Sequence, residues 1–139
     1  MNLRNVIKIF GLSRNKASFS TRQELGKWGE DQAVRHLKKN GYRILKRNFR
    51  ALGGEVDVVA TKDDRLVFVE VKTQDGIGTI SPDQRIGYRK QKQISKIAKF
   101  YLSRTKGNYD EVRLDVIAVT RLGKQVDIEH IEGAFGATE

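Results

Sequence analysis

The sequence predicts an α/β protein in which helices flank a mixed central β-sheet in the order α-β-β-β-α-β-β. Three observations predict it. Two stretches repeat apolar residues every three or four positions, the period of a helix with one buried face. Five shorter stretches are rich in Val, Ile and Phe or alternate apolar with polar residues, as strands do. The second and third strands are close enough in sequence for a tight hairpin, whereas a helix-length segment separates the third from the fourth. At 139 residues the chain suits one sizeable core and is too short for two ordinary domains.

Residues 1–22 begin MNLRNVIKIFGLSRNK, and the apolar patch holding Arg4 and Lys8 is too short and too charged for a signal segment or a membrane span. They are expected to form a flexible basic arm, followed by a domain over 23–135 and a tail over 136–139. The first helix is predicted from about Gln23 to Asn40, with Glu30, Ala33, Val34 and Leu37 on one stripe and Asn40-Gly41 as its stop. Strands follow at about Tyr42–Arg50, Glu55–Thr61 and Arg65–Thr73. Gln74 to Pro82, with Gly76, Gly78 and the one proline, is expected to be a flexible connection. In RKQKQISKIAKFYLSRTKG the second helix buries Ile94, Ile97, Ala98, Tyr101 and Leu102 and is expected to end at Gly107. Two last strands, about Val112–Thr120 and Gln125–Ile131, turn at Leu122-Gly123.

The chain carries 27 Lys and Arg against 17 Asp and Glu, a net charge of +10. A small domain with so strong a positive field is suited to an acidic partner, most commonly nucleic acid. It holds no cysteine, which excludes disulfides and thiolate metal sites and makes a cytoplasmic location the expectation.

The hairpin GGEVDVVATKDDRLVFVEVK, residues 53–72, carries Glu55, Asp57, Glu70 and Lys72 within an apolar run. With Lys62 to Arg65 as the turn, Thr61 stands beside Leu66, Asp57 opposite Glu70, and Glu55 opposite Lys72. Opposed residues have Cβ atoms about 5 Å apart on one face. Two carboxylates at that distance repel by about 3 kcal/mol at an effective dielectric near 20, a large part of the ~5–15 kcal/mol that stabilises a small domain. Lys72 offsets one charge. A divalent cation compensates best, and hard oxygen ligands suit Mg²⁺ or Mn²⁺, with the Val71 carbonyl and waters as further donors. Charges on a strand also guard exposed edges, yet Val67, Phe68, Val69 and Val71 mark this strand as central. Glu30, on the buried stripe of the first helix, either bonds locally at the rim or joins the cluster. Such a group serves metal-assisted phosphodiester hydrolysis, with Lys72 stabilising developing charge or positioning the attacking water.

Asp57 followed by Glu70-Val71-Lys72 resembles the D…ExK signature of the PD-(D/E)xK nuclease superfamily. The blocks LGKWGEDQAVRHLKKNGYRILKRNFR, GGEVDVVA, LVFVEVKTQ, RKQKQISKIAKFYL and RLDVIAV resemble the YraN-like family of small bacterial proteins, related to archaeal Holliday-junction resolvases. The resemblance runs from about Leu25 to Phe135. It implies a restriction-endonuclease-like three-layer fold and an endonuclease acting on structured or branched DNA, possible as a homodimer on a symmetric junction. It also implies a catalytic set of Glu30, Asp57, Glu70 and Lys72. Glu55 is a possible additional acid, and Val56 stands where the superfamily name has proline.

Arg89, Lys90 and Lys92, opening the second helix, are the expected contacts to the DNA backbone, where cations release counterions. Gln74 reaches either phosphate or its own loop. Tyr88 either stacks or wedges against nucleic acid or packs, His36 and His130 are read as packing or surface residues, and Asp115 as a structural partner near Arg113 or a support to the site.

Overall fold

The computed structural model describes residues 21–76 and 86–136; the expected arm through residue 20, most of the Gln74–Pro82 connection and the last three tail residues lie outside the described residues. The elements follow the expected order: α1 (Arg22–Lys39), β1 (Arg43–Ala51), β2 (Gly54–Lys62), β3 (Arg65–Asp75), α2 (Tyr88–Arg104), β4 (Glu111–Leu122) and β5 (Gln125–Ile131). Helix α1 starts where Thr21, in extended conformation, accepts the Glu24 N–H at 3.0 Å through its hydroxyl. It stops at Asn40, and Gly41 turns the chain with φ +90°, a conformation that glycine adopts without strain. Helix α2 ends at Arg104, three residues before the expected Gly107, because Thr105 is already extended.

The five strands lie in chain order across one sheet. Strands β3 and β4 pair in parallel, and the other neighbours pair antiparallel. The β1–β2 and β2–β3 hairpins turn through Leu52-Gly53 and Asp63-Asp64, all four with positive φ, the geometry that matches the twist of the flanking strands.

Alternation along β3 divides the core into two. Val67 and Val69, with Val58, Ala60, Ile117 and Val119, pack under Ala33, Val34 and Leu37 of α1. Leu66 and Phe68, with Val59 and Leu114, pack under Ile94, Ile97, Ala98 and Tyr101 of α2. The sheet is therefore covered on both faces, which is why its central strand is valine-rich throughout. Tyr101 meets Phe49 and Phe68 edge to face at 5.3 and 5.6 Å between ring centres.

On the α1 side, the fully buried Asp115 of β4 is a structural centre. Arg113 donates twice to its carboxylate at 2.9 and 3.1 Å, the Gly133 N–H donates at 2.9 Å, and His130 Nε2 lies 2.8 Å away. Burial pushes the Asp115 carboxyl up, but the hydrogen bonds from His130, Arg113 and Gly133 outweigh it and hold the group below its usual range. His130 Nδ1 in turn lies 3.3 Å from His36 Nε2, so the two histidines, distant in sequence, join β5 to α1.

Gly29 lets α1 sit close to β3: a Cβ there would lie 1.9 Å from the Thr73 hydroxyl oxygen. Threonine is stiff at χ1 and cannot swing aside cheaply. Gly29→Ala is expected to destabilise the protein by about 1–3 kcal/mol, measured by urea unfolding.

Candidate active site

The β2–β3 ladder runs from Lys62↔Arg65 to Val58↔Val69 and stops. One step further, the same register sets Asp57 against Glu70, as the sequence predicts. No ladder pair forms there. Asp57 instead turns its carboxylate to β3, and Oδ2 accepts the Val71 N–H at 2.8 Å. Asp57 also lacks a registered partner on β1, where pairing passes from Arg47↔Val58 to Phe49↔Val56. Opposite it stands Asn48 with φ +50°. Val58 packs toward α1 and Val56 toward α2, so the strand twists at Asp57 and re-aims its side chain. The result is a fork between β2 and β3, with Asp57 in its angle. Local departures from regular pairing are a usual means of aiming a side chain at a site. In a strand, the N–H and C=O of one residue point to the same edge, so the Val71 carbonyl also faces this fork.

Glu70 projects from β3 on the α2 side, only 7% exposed. Its Oε2 lies 3.7 Å from Lys72 Nζ and its Oε1 3.9 Å from Lys90 Nζ. Both are ion-pair distances beyond hydrogen-bond range, and Oε1 is buried without any hydrogen-bond partner. Such an orphan is uncommon in a folded protein and calls for a physical explanation. Burial, then the Glu70 charge, pushes the Asp57 carboxyl up to about 8; the Val71 N–H and Lys90 oppose the shift and Glu30 adds to it. Burial raises Glu70 as well, against the pull of Lys90 and Lys72. Both carboxyls are thus held above their usual range, chiefly by burial, and the lysines offset only part of that.

Asp57, Glu70 and Lys72 thus meet as expected. Glu30 stands near enough to act on Asp57 through its charge, but its Oε1 accepts a hydrogen bond from Asn48 Nδ2 at 3.0 Å. Among the described residues, no three His, Asp or Glu side chains gather into a metal-holding group. Asp57 and Glu70 are two donors, with the Val71 carbonyl on the same edge. That fits Mg²⁺, which commonly uses one or two carboxylates and keeps several waters.

Other expectations change. Glu55 does not face Lys72, since β2 and β3 have parted by then. It stays in register with Arg50 on β1, whose guanidinium lies 3.8 Å from it. Gln74 donates to the Gly76 carbonyl at 3.1 Å, the loop-binding alternative. Arg89 is exposed and Lys92 half-buried on the opening of α2. Tyr88 is 65% exposed, not a core residue. Lys90, expected as a contact to the DNA backbone, reaches Glu70 and donates to the Glu55 carbonyl at 3.2 Å. Asn48 was not singled out in the sequence; its signal is an asparagine within a strand, a residue that tolerates positive φ.

The described residues form a mixed α/β protein in which Asp57 and Glu70 meet, with Lys72 and Lys90 beside Glu70. The chain belongs to the uncharacterised protein family UPF0102, whose family model matches residues 29–119. That span holds Glu30, Asp57, Glu70, Lys72 and Lys90. Similar UPF0102 proteins occur in Syntrophotalea carbinolica, 45% identical over 82% of this chain and 93% of that protein, and in Syntrophomonas wolfei, 42% identical over 81% and 98%. One from Dictyoglomus thermophilum is 38% identical over 81% and 98%. Among solved structures, Pyrococcus furiosus SfsA in complex with Ca²⁺ matches at 14% identity and a TM-score of 0.35, over 79% of this chain and 63% of that one, too distant to bear on function.

A carboxyl raised in the fold stabilises it most below its ordinary value of 3.8, and that contribution declines as pH rises to about 8. His36, lowered by burial and then by His130 and Lys39, acts in the opposite sense but only below about 6.5. Between about pH 6.5 and about pH 8 the melting temperature of cation-free protein is therefore expected to fall, by the equivalent of on the order of 1 kcal/mol. Asp57→Asn should flatten that slope, as read by calorimetric scans across the window.

Proposed function

We propose that this chain is a metal-dependent endonuclease of the restriction-endonuclease-like fold, hydrolysing phosphodiester bonds in structured or branched DNA. The observation that carries the reading is the convergence of Asp57 and Glu70 on one fork, Glu70 with an unpartnered buried oxygen and a lysine on each side. Asp57, Glu70 and the Val71 carbonyl would hold Mg²⁺ or Mn²⁺, with Glu30 at the margin. A cation held there supplies Lewis-acid polarisation of the scissile phosphate and a more acidic water.

The chain's own groups supply the rest. The Val71 N–H fixes one Asp57 oxygen, leaving the carboxylate plane set by the strand rather than by a free rotamer. Lys72 sits at the mouth, half-buried, where its ammonium meets charge that builds on the phosphoryl oxygens. The exposed edge strand β1 presents Arg43, Lys46, Arg47 and Arg50, of which Arg47 binds Asp31 at 2.7 Å. A cleft of about 600 Å³, lined by Arg50, Gly53, Gly54, Glu55, Lys90 and Gln93, adjoins the fork. With the net charge of +10, these surfaces suit a polyanionic backbone. A four-way junction presents two symmetric strands, so the reading includes a second copy of the chain. A nucleic-acid binder that does not cut is the competing reading, favoured by the two lysines that partly offset Glu70 without any metal ion.

The test is cleavage of a synthetic junction. Wild type with Mg²⁺ or Mn²⁺ is expected to cut it and to stop when the metal is chelated. Asp57→Asn and Lys72→Ala are each expected to lose at least about 100-fold in rate. Equal cleavage by all three would trace the activity to a contaminant. Salt-sensitive binding without cleavage would establish the competing reading.

A further inference from the structure

Lys90 stands in a place that ordinary helix energetics disfavour. The first turns of α2 carry Arg89, Lys90 and Lys92, no acidic residue lies in the first turn, and Gly87 gives no side-chain cap. Cations are unfavourable beside the positive end of a helix. Places where a local rule is broken are commonly functional or strained. The Lys90 side chain leaves the helix toward the fork. Its ammonium lies 3.9 Å from the orphaned Glu70 Oε1 and donates to the Glu55 carbonyl at 3.2 Å, at the rim of the cleft. Close approach of α2 to the β1–β2 hairpin sets this position. A Cβ at Gly54 would lie 2.3 Å from the Gln93 side-chain amide, which shows how near the helix opening comes to the hairpin.

Resting on the nuclease reading above, we propose that Lys90 is a built-in counter-ion for the carboxylate pair, which yields Glu70 Oε1 to an incoming divalent cation and stays tethered in the cleft to meet substrate phosphate. The geometry explains both ends of this exchange. A monovalent ammonium at 3.9 Å offsets Glu70 without satisfying it, so a dication at coordination distance displaces it. The Glu55 carbonyl keeps the released ammonium at the cleft, where a phosphate would take the place of Glu70 as its partner. Lys72, adjoining the other oxygen of Glu70, keeps its place throughout. Lys90 is then a residue that positions charge by competition, distinct from Lys72.

The experiment is Mn²⁺ titration by calorimetry on the whole chain without DNA, comparing wild type with Lys90→Met, Lys90→Arg and the exposed control Lys96→Met. Removing the competing charge is expected to tighten Mn²⁺ binding about tenfold in Lys90→Met, while Lys90→Arg and Lys96→Met stay near wild type. Without metal, Lys90→Met should also melt at a lower temperature than wild type near pH 8, having lost its counter-ion. Saturable Mn²⁺ binding to wild type that is unchanged or weakened in Lys90→Met overturns the proposal and leaves the nuclease reading standing. No saturable binding to wild type or variants overturns both.

Discussion

Two carboxyl groups within reach of one another, Glu70 buried and Asp57 half-buried, set the terms for this molecule. Asp57 and Glu70 meet just past the end of the β2–β3 ladder, where Asp57 turns to the Val71 N–H. Their repulsion and desolvation are met in part by one backbone N–H and two lysines, none within hydrogen-bond distance of Glu70. The regular ladder gives way at that point, and the opening it leaves is the candidate site. What the strands lose in pairing, the fold recovers in two cores packed on either face of a central, valine-rich β3.

Asp57 and Asp115 show how environment alone divides two similar residues. Each interrupts an apolar strand, in EVDVV and RLDVI. Asp115 receives two hydrogen bonds from Arg113 and one from Gly133, with His130 alongside, and stays ionised although fully buried. Asp57 receives one backbone hydrogen bond and faces a second carboxylate, and its proton affinity rises. The first arrangement is complete and structural. The second is incomplete, the condition in which a buried polar group is useful chemically.

Much of the fold was legible because its determinants are local. The element order, the Asn40-Gly41 stop and the β2–β3 register followed from periodicity and turn residues, and the central place of β3 followed from its valines. The meeting of Asp57 with Glu70 followed from that register. What was illegible depends on how strands diverge and helices dock. Glu55 was misplaced because two-residue counting assumes that pairing continues, and here it ends at Val58↔Val69. The turning of Glu30 to Asn48 depends on a positive φ within β1, and the reach of Lys90 depends on α2 seating against Gly54. His36 and His130 met for the same reason: β5 and α1 are neighbours only in three dimensions.

The central claim is that the fork between β2 and β3 captures a hard dication through its two acids. Anomalous diffraction from crystals grown with Mn²⁺ addresses it most directly. The account predicts one peak bonded to an Asp57 oxygen and to Glu70 Oε1, with the Lys90 ammonium moved off Glu70. A peak held by other residues, or an empty fork at saturating Mn²⁺, would contradict it.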